Sequence, residues 1–138
     1  MAIASNTARF GVNGVNIGLF CSTPMVALSR NIPRKNAFEM LSTGHFIEAL
    51  TAKDYGLVNR VVEESQLEKS TNEMAEIIAS KLAVAVKIGK EAFYNQLEMS
   101  VDDAYDYAGN VMVENMLYRD TEEGISAFID KRDPNWKQ

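Results

Sequence analysis

Apolar positions fall into two rhythms along the chain. Up to residue 62 they form short runs broken by most of the Gly and two of the three Pro; from residue 63 they recur every three or four positions, with Pro134 the single proline. The first rhythm predicts a short strand over 2–5 and another over 57–62, where LVNRVV is β-branched and partly alternating. Between them, Thr23-Pro24 opens a helix through Met25, Val26 and Leu28. Pro33 opens a second, with Ala37, Met40 and Leu41 on one face and Gly44 as its stop. A shorter helix over 49–55 stops at Gly56. The second rhythm predicts four helices, with stripes at Leu67/Met74/Ile77/Ile78, Val86/Phe93/Leu97, Ala104/Ala108/Val111/Asn115 and Ile125/Phe128/Ile129. Ser100 with Asp103, and Asp120 with Glu123, have the spacing of capping boxes for the last two.

The predicted class is therefore mostly α with a few short strands, in two regions, 1–62 and 63–138. One or two strands cannot make a sheet that covers so much helix. Either the chain is essentially helical or further strands are supplied from elsewhere. There is no internal repeat and no low-complexity segment.

Composition narrows the function classes. A chain of 138 residues, 46% apolar and 24% charged, fits one soluble globular domain. Its net charge of −5 argues against nucleic-acid binding, which needs a basic face. No apolar run reaches the length of a membrane span, and the opening MAIASNTARFGVNG lacks the basic leader and apolar centre of a signal peptide. Cys21 is the single cysteine, so no intrachain disulfide forms and a reducing compartment is expected.

Motif tests mostly fail. Gly11, Gly14 and Gly18 are spaced Gly-x-x-Gly-x-x-x-Gly, not as the dinucleotide fingerprint, and Gly89-Lys90 is followed by Glu91, not by the Ser or Thr of a phosphate loop. His45, the single histidine, follows a helix stop and reads as an ordinary loop residue. With no Cys or His cluster, no metal site is expected. Cys21 reads as a small buried hydrophobe. The pairs Glu63-Glu64, Asp102-Asp103 and Glu122-Glu123 read as solvated helix starts. Lys131-Arg132, near Phe128 and Trp136, suits a phosphate and a purine ring, but reads first as a solvated helix end.

Three blocks add a resemblance. Thr43-Gly44-x-x-Ile47-x-Ala49-x-x-Ala52-x-x-x-Gly56-Leu57-Val58-x-x-Val61-Val62 is similar to a helix-turn-strand passage of the crotonase (enoyl-CoA hydratase/isomerase) family. Glu123-Gly124-Ile125-Ser126-Ala127-Phe128-Ile129-x-Lys131-Arg132 is similar to its C-terminal helix. The run from Gly14 to Pro24, with Pro33-Arg34-Lys35 and Glu39-Met40-Leu41, resembles one subgroup of that family.

The resemblance covers essentially the whole chain but only the later half of a family member. It implies the C-terminal portion of the crotonase fold, a ββα spiral with a helical trimerisation region. Residues 1–62 would be the end of the spiral core and part of the acyl-pocket wall; residues 63–138 would be the helical oligomerisation region. It places a hydratase glutamate at the position of Gly14, and matches the second glutamate and the oxyanion-hole donors to positions before Met1. No catalytic residue is assigned within the chain. A second departure is Cys21-Ser22-Thr23-Pro24, where hydratases often carry a Gly-Gly-Thr-Gln-like start. Val15, Leu19 and Cys21 would line the acyl pocket, Phe128 would lie near the adenine, and Lys131 would point toward a phosphate of coenzyme A.

The implied function is acyl-CoA binding in fatty-acid or acyl-CoA metabolism, with isomerisation or thioester chemistry open as reactions. The alternative is a catalytically inactive fragment or oligomerisation module. Coenzyme A enters as part of the substrate and no separate cofactor is implied. The implied assembly is a trimer or hexamer. The implied location is the cytoplasm in a bacterium and the mitochondrial matrix in a eukaryote.

Overall fold

Proline and glycine set the helix boundaries of the first half as their backbone preferences require. A computed structural model describes residues 1–137. Its elements run β1 (Ile3–Ser5), β2 (Arg9–Phe10), a 3-10 turn (Asn13–Ile17), α1 (Ser22–Asn31), α2 (Arg34–Thr43), β3 (Ile47–Glu48), α3 (Ala49–Asp54), β4 (Arg60–Val62), a second 3-10 turn (Glu64–Gln66), α4 (Leu67–Ala79), α5 (Ala83–Gln96), α6 (Val101–Met116) and α7 (Arg119–Asp130). The chain is thus mostly α with a few short strands, and it divides into two compact units, Met1–Met74 and Ala75–Gln138.

In the first unit Pro33 stands immediately before α2, and Gly44 ends it in the left-handed conformation at φ 63°, its N–H donating to the Met40 carbonyl. The predicted face is the buried one: Ala37, Met40 and Leu41 pack with Leu28 of α1 and Ile32 just after it. A second cluster joins Ala4, Ala49, Ala52 and Val58. Three of its four members are alanines, which let α3 lie close to the strands.

Strands β1 and β4 pair in parallel, Ile3 opposite Arg60 and Ser5 opposite Val62. The strand expected over 57–62 is shorter than predicted. The Leu57 and Val58 amides turn back to the Ala52 carbonyl at the end of α3, leaving only Arg60–Val62 in the ladder. Strands β2 and β3, absent from the sequence expectation, pair antiparallel with Arg9 opposite Glu48 and Phe10 opposite Ile47. Two residues each is too short to imprint a period. An Arg9–Glu48 ion pair at 3.2 Å and the Arg9 guanidinium over the Phe46 ring accompany the pairing.

In the second unit Ser100 caps α6 as predicted. Its Oγ accepts from the Asp103 N–H at 3.3 Å and donates to the Asp103 carboxylate at 2.6 Å. The cap expected for α7 is a correction. Tyr118 stands at the N-cap without a side-chain bond, and Asp120 lies inside the first turn. Asp120 and Glu123 are not available as caps because both accept from the segment after α7. The α6–α7 turn is closed instead by Asn115 and Thr121, whose Oγ1 donates to the Asn115 carbonyl at 2.8 Å. The helical periods are as expected, yet little of this unit is buried: Phe93, Leu97, Tyr105, Met112, Leu117 and Ile129 all remain exposed.

Leu41 is 2% exposed at the centre of the first cluster. Leu41→Ala is expected to cost about 3 kcal/mol through lost transfer energy and the cavity left behind, whereas Ser100→Ala is expected to cost about 1 kcal/mol as the loss of one cap. Urea unfolding followed by circular dichroism checks both. Equal costs would contradict this account of where the packing lies.

Candidate functional site

The Gly-rich stretch folds into a tight reversal. The 3-10 turn ends at Gly18, whose φ of 81° is open to glycine at no steric cost. The Leu19 N–H returns to the Gly14 carbonyl at 3.0 Å, and the Gly14 N–H donates to Cys21 Sγ at 3.3 Å. Residues 19 and 21 therefore close over residue 14. A β-carbon on Gly14 would sit 2.7 Å from the Leu19 carbonyl oxygen and 2.7 Å from Cys21 Sγ, well inside contact distance. Gly11 has an ordinary φ; a β-carbon there would sit 2.8 Å from the Phe46 ring.

The expected pocket-wall residues face different surroundings. Val15 is half-buried against the end of α2, where Asn16 Nδ2 also donates to the Gly44 carbonyl at 3.2 Å. Cys21 is half-buried beside the first core cluster. Leu19 is 64% exposed. His45 is exposed, with its backbone N–H on Thr43 Oγ1. Among the described residues no group of three His, Cys, Asp or Glu could hold a metal ion.

The second candidate element is the end of α7. Lys131 has φ 54°, the one positive-φ residue other than glycine among those described. Its N–H donates to the Phe128 carbonyl at 3.3 Å and the Arg132 N–H to the Ala127 carbonyl at 3.0 Å. This is the paired bonding of a Schellman turn with lysine in the place glycine usually takes. Phe128 is 85% exposed, and Lys131 is exposed beside it.

Arg132 and Trp136, grouped with them by sequence, do other work. Arg132 grips Glu123 with two parallel bonds of 2.7 and 3.1 Å, and its Nε reaches Asp130 at 3.4 Å. The Asn135 N–H adds 2.8 Å to Glu123 Oε1, and the Lys137 N–H adds 3.1 Å to Asp120 Oδ2. The segment after α7 thus folds back along the helix, with the Trp136 ring packed on Gly124, where a β-carbon would meet it at 3.0 Å.

The reading of Glu122-Glu123 as a solvated start fails for Glu123. The Arg132 fork, then the Asn135 N–H, draw its carboxyl from 4.5 down to about 2, and raise Arg132 in return. Glu123 and Arg132 are nine residues apart, beyond the reach of any local pairing rule, and so escaped the sequence reading. A cavity of about 500 Å³ lined by Ala83, Val84, Tyr118, Arg119, Asp120 and Lys137 also lies in the second unit and contains neither Phe128 nor Lys131.

Comparison with known proteins decides the family. A family model described as enoyl-CoA hydratase/isomerase matches residues 1–138. The chain belongs to the enoyl-CoA hydratase/isomerase, or crotonase, family. Enoyl-CoA hydratase domain-containing protein 3, mitochondrial, of Xenopus laevis is 48% identical over 136 residues, 99% of this chain and 46% of that protein. A crystal structure of the human protein of that name superposes with a TM-score of 0.95 at 47% identity, covering 99% of this chain and 54% of that one.

The enoyl-CoA hydratase of Mycobacterium smegmatis superposes with a TM-score of 0.97 at 50% identity, covering 100% of this chain and 54% of that one. The chain therefore spans about half the length of the relatives it matches. Its fold is a C-terminal portion of the crotonase fold, and the subgroup resemblance carried by the run from Gly14 to Pro24 is borne out.

Two results are expected here. Gly14→Ala should lower the melting temperature, because the new β-carbon must push apart a backbone carbonyl and a sulfur; an unchanged melting temperature would contradict the closed turn. Glu123 bears on acid stability. Its folded pKa lies below its ordinary 4.5, so its contribution is complete above that value and is lost as pH falls toward about 2. The stability advantage of the parent chain over Glu123→Gln, measured by thermal melts, should thus be constant near neutrality and shrink across that acid window. An advantage that grows on acidification has the wrong sign.

Proposed function

We propose that this chain forms part of an acyl-CoA-binding protein of acyl-CoA metabolism in which residue 14 takes no part in hydration. The observation that carries the reading is the closed turn at Gly14, where Leu19 and Cys21 occupy the space a side chain would need. Hydration of an enoyl thioester needs a carboxylate to activate water and donors for the enolate oxygen. The family resemblance puts a hydratase glutamate at this position, and here there is neither the carboxylate nor the room for one.

Binding is supported at the other end of the chain. Phe128 offers a ring face to an adenine, and Lys131 offers a point charge to a phosphate. Reactions that need fewer groups at residue 14, isomerisation or thioester chemistry, fit this arrangement better than hydration. Assembly into a trimer or hexamer is supported by the apolar stripes that α5, α6 and α7 leave uncovered. Those stripes also favour the second reading, a catalytically inactive oligomerisation module. The relatives' mitochondrial designation supports the mitochondrial matrix as the location in a eukaryote, with the cytoplasm the counterpart in a bacterium.

Lys131→Ala should weaken butyryl-CoA affinity about fivefold, the value of one exposed charge-assisted contact. An unchanged dissociation constant in calorimetric titration would remove Lys131 from the site. Gly14→Glu should not create hydration activity toward crotonyl-CoA. Rapid hydration by that variant would show that position 14 accepts a working carboxylate after all.

A further inference from the structure

We propose that Glu123 and Arg132 are positioning residues for Lys131, forming a clamp that fixes its turn and leaves its ammonium free for an external anion. The inference rests on the reading of Lys131 as a phosphate contact and goes beyond it by assigning the device that holds the lysine in place.

The starting observation is a residue in an unfavourable conformation. An L side chain at φ 54° persists only where its surroundings over-determine it. Several independent restraints converge here. The two Schellman bonds fix the turn itself. The Glu123–Arg132 fork, at 2.7 and 3.1 Å, ties the residue after the turn to the helix nine positions back. The Asn135 and Lys137 amides fasten the following segment to Glu123 and Asp120, and Trp136 packs on Gly124. Glycine would satisfy the turn without strain, so the turn alone does not account for a lysine there.

Charge distribution adds a second argument. Lys131 and Arg132 are adjacent cations, and Glu123, Asp130 and Asp133 are the carboxylates around them; Glu123 and Asp130 are the two in ion pairs. Both of these ion pairs go to Arg132. Among the described residues Lys131 takes part in none of the ion pairs, although Asp130 precedes it directly. Arg132 therefore occupies two of the carboxylates that would otherwise compete with an anion for the lysine. A guanidinium suits that task because its planar fork matches a carboxylate, whereas the compact ammonium of lysine is left to meet a phosphate. The exposed Phe128 ring, three residues before Lys131, sits on the same last turn of α7.

The test is a double-mutant cycle on the full chain, titrated with coenzyme A, together with amide hydrogen exchange. Glu123→Gln and Arg132→Lys both break the fork, the second while keeping the charge, so the inference survives the failure of either variant to fold. Each should weaken coenzyme A binding about fivefold in the parent chain and by less than about twofold in the Lys131→Gly background, because residues that act through one another are not additive. Exchange at the Lys131 and Arg132 amides should rise about tenfold in both fork variants, as the turn loosens.

Equal weakening in both backgrounds, or unchanged exchange, overturns the clamp. Weakening by Lys131→Gly with none by the fork variants overturns the clamp alone and leaves the phosphate contact standing. No binding of coenzyme A by the parent chain, or undiminished binding by Lys131→Gly, overturns the phosphate contact and the clamp with it.

Discussion

Room for one β-carbon governs what the first unit can do. The Gly14 N–H meets Cys21 Sγ at 3.3 Å, and the Leu19 amide returns to the Gly14 carbonyl. These bonds draw residues 19 and 21 over residue 14 and fill the space from which a side chain would project. Everything near the turn follows from that closure. Gly18 takes the left-handed conformation that reverses the chain, Asn16 anchors the turn to the end of α2, and Cys21 becomes a packing and accepting group. A side chain introduced at residue 14 has to displace the Leu19 carbonyl and the Cys21 sulfur.

The second unit uses its carboxylates for a structural purpose. Asp120 and Glu123 look like the acidic residues that begin many helices. In the folded chain they receive the backbone and side-chain donors of the segment that follows the same helix. This spends Arg132 and Trp136 on the fold and leaves Phe128 and Lys131 at the surface. Of the four residues grouped by sequence at this end of the chain, two are thereby held in the fold and two stay exposed.

Much of this architecture was legible from residue order. The boundaries of α2 followed from Pro33 and Gly44, its buried face from Ala37, Met40 and Leu41, and the start of α6 from Ser100 and Asp103, because each rests on interactions within a turn or two of helix. What escaped depends on contacts distant in sequence. Strands β2 and β3 exist only through pairing across nearly forty residues of chain. The true end of α3 shortened β4. The fork between Glu123 and Arg132 joins the first half of α7 to the segment that follows it. The family blocks marked Gly14 as a departure, but only the backbone around it revealed that the position is closed.

The measurement that bears most directly on the account is calorimetric titration of the 138-residue chain with crotonyl-CoA, with the thioester recovered afterwards and its enoyl absorbance measured. The account predicts saturable heat and no hydrated product. Absence of heat, or conversion of the enoyl group to the hydrated product, would contradict it.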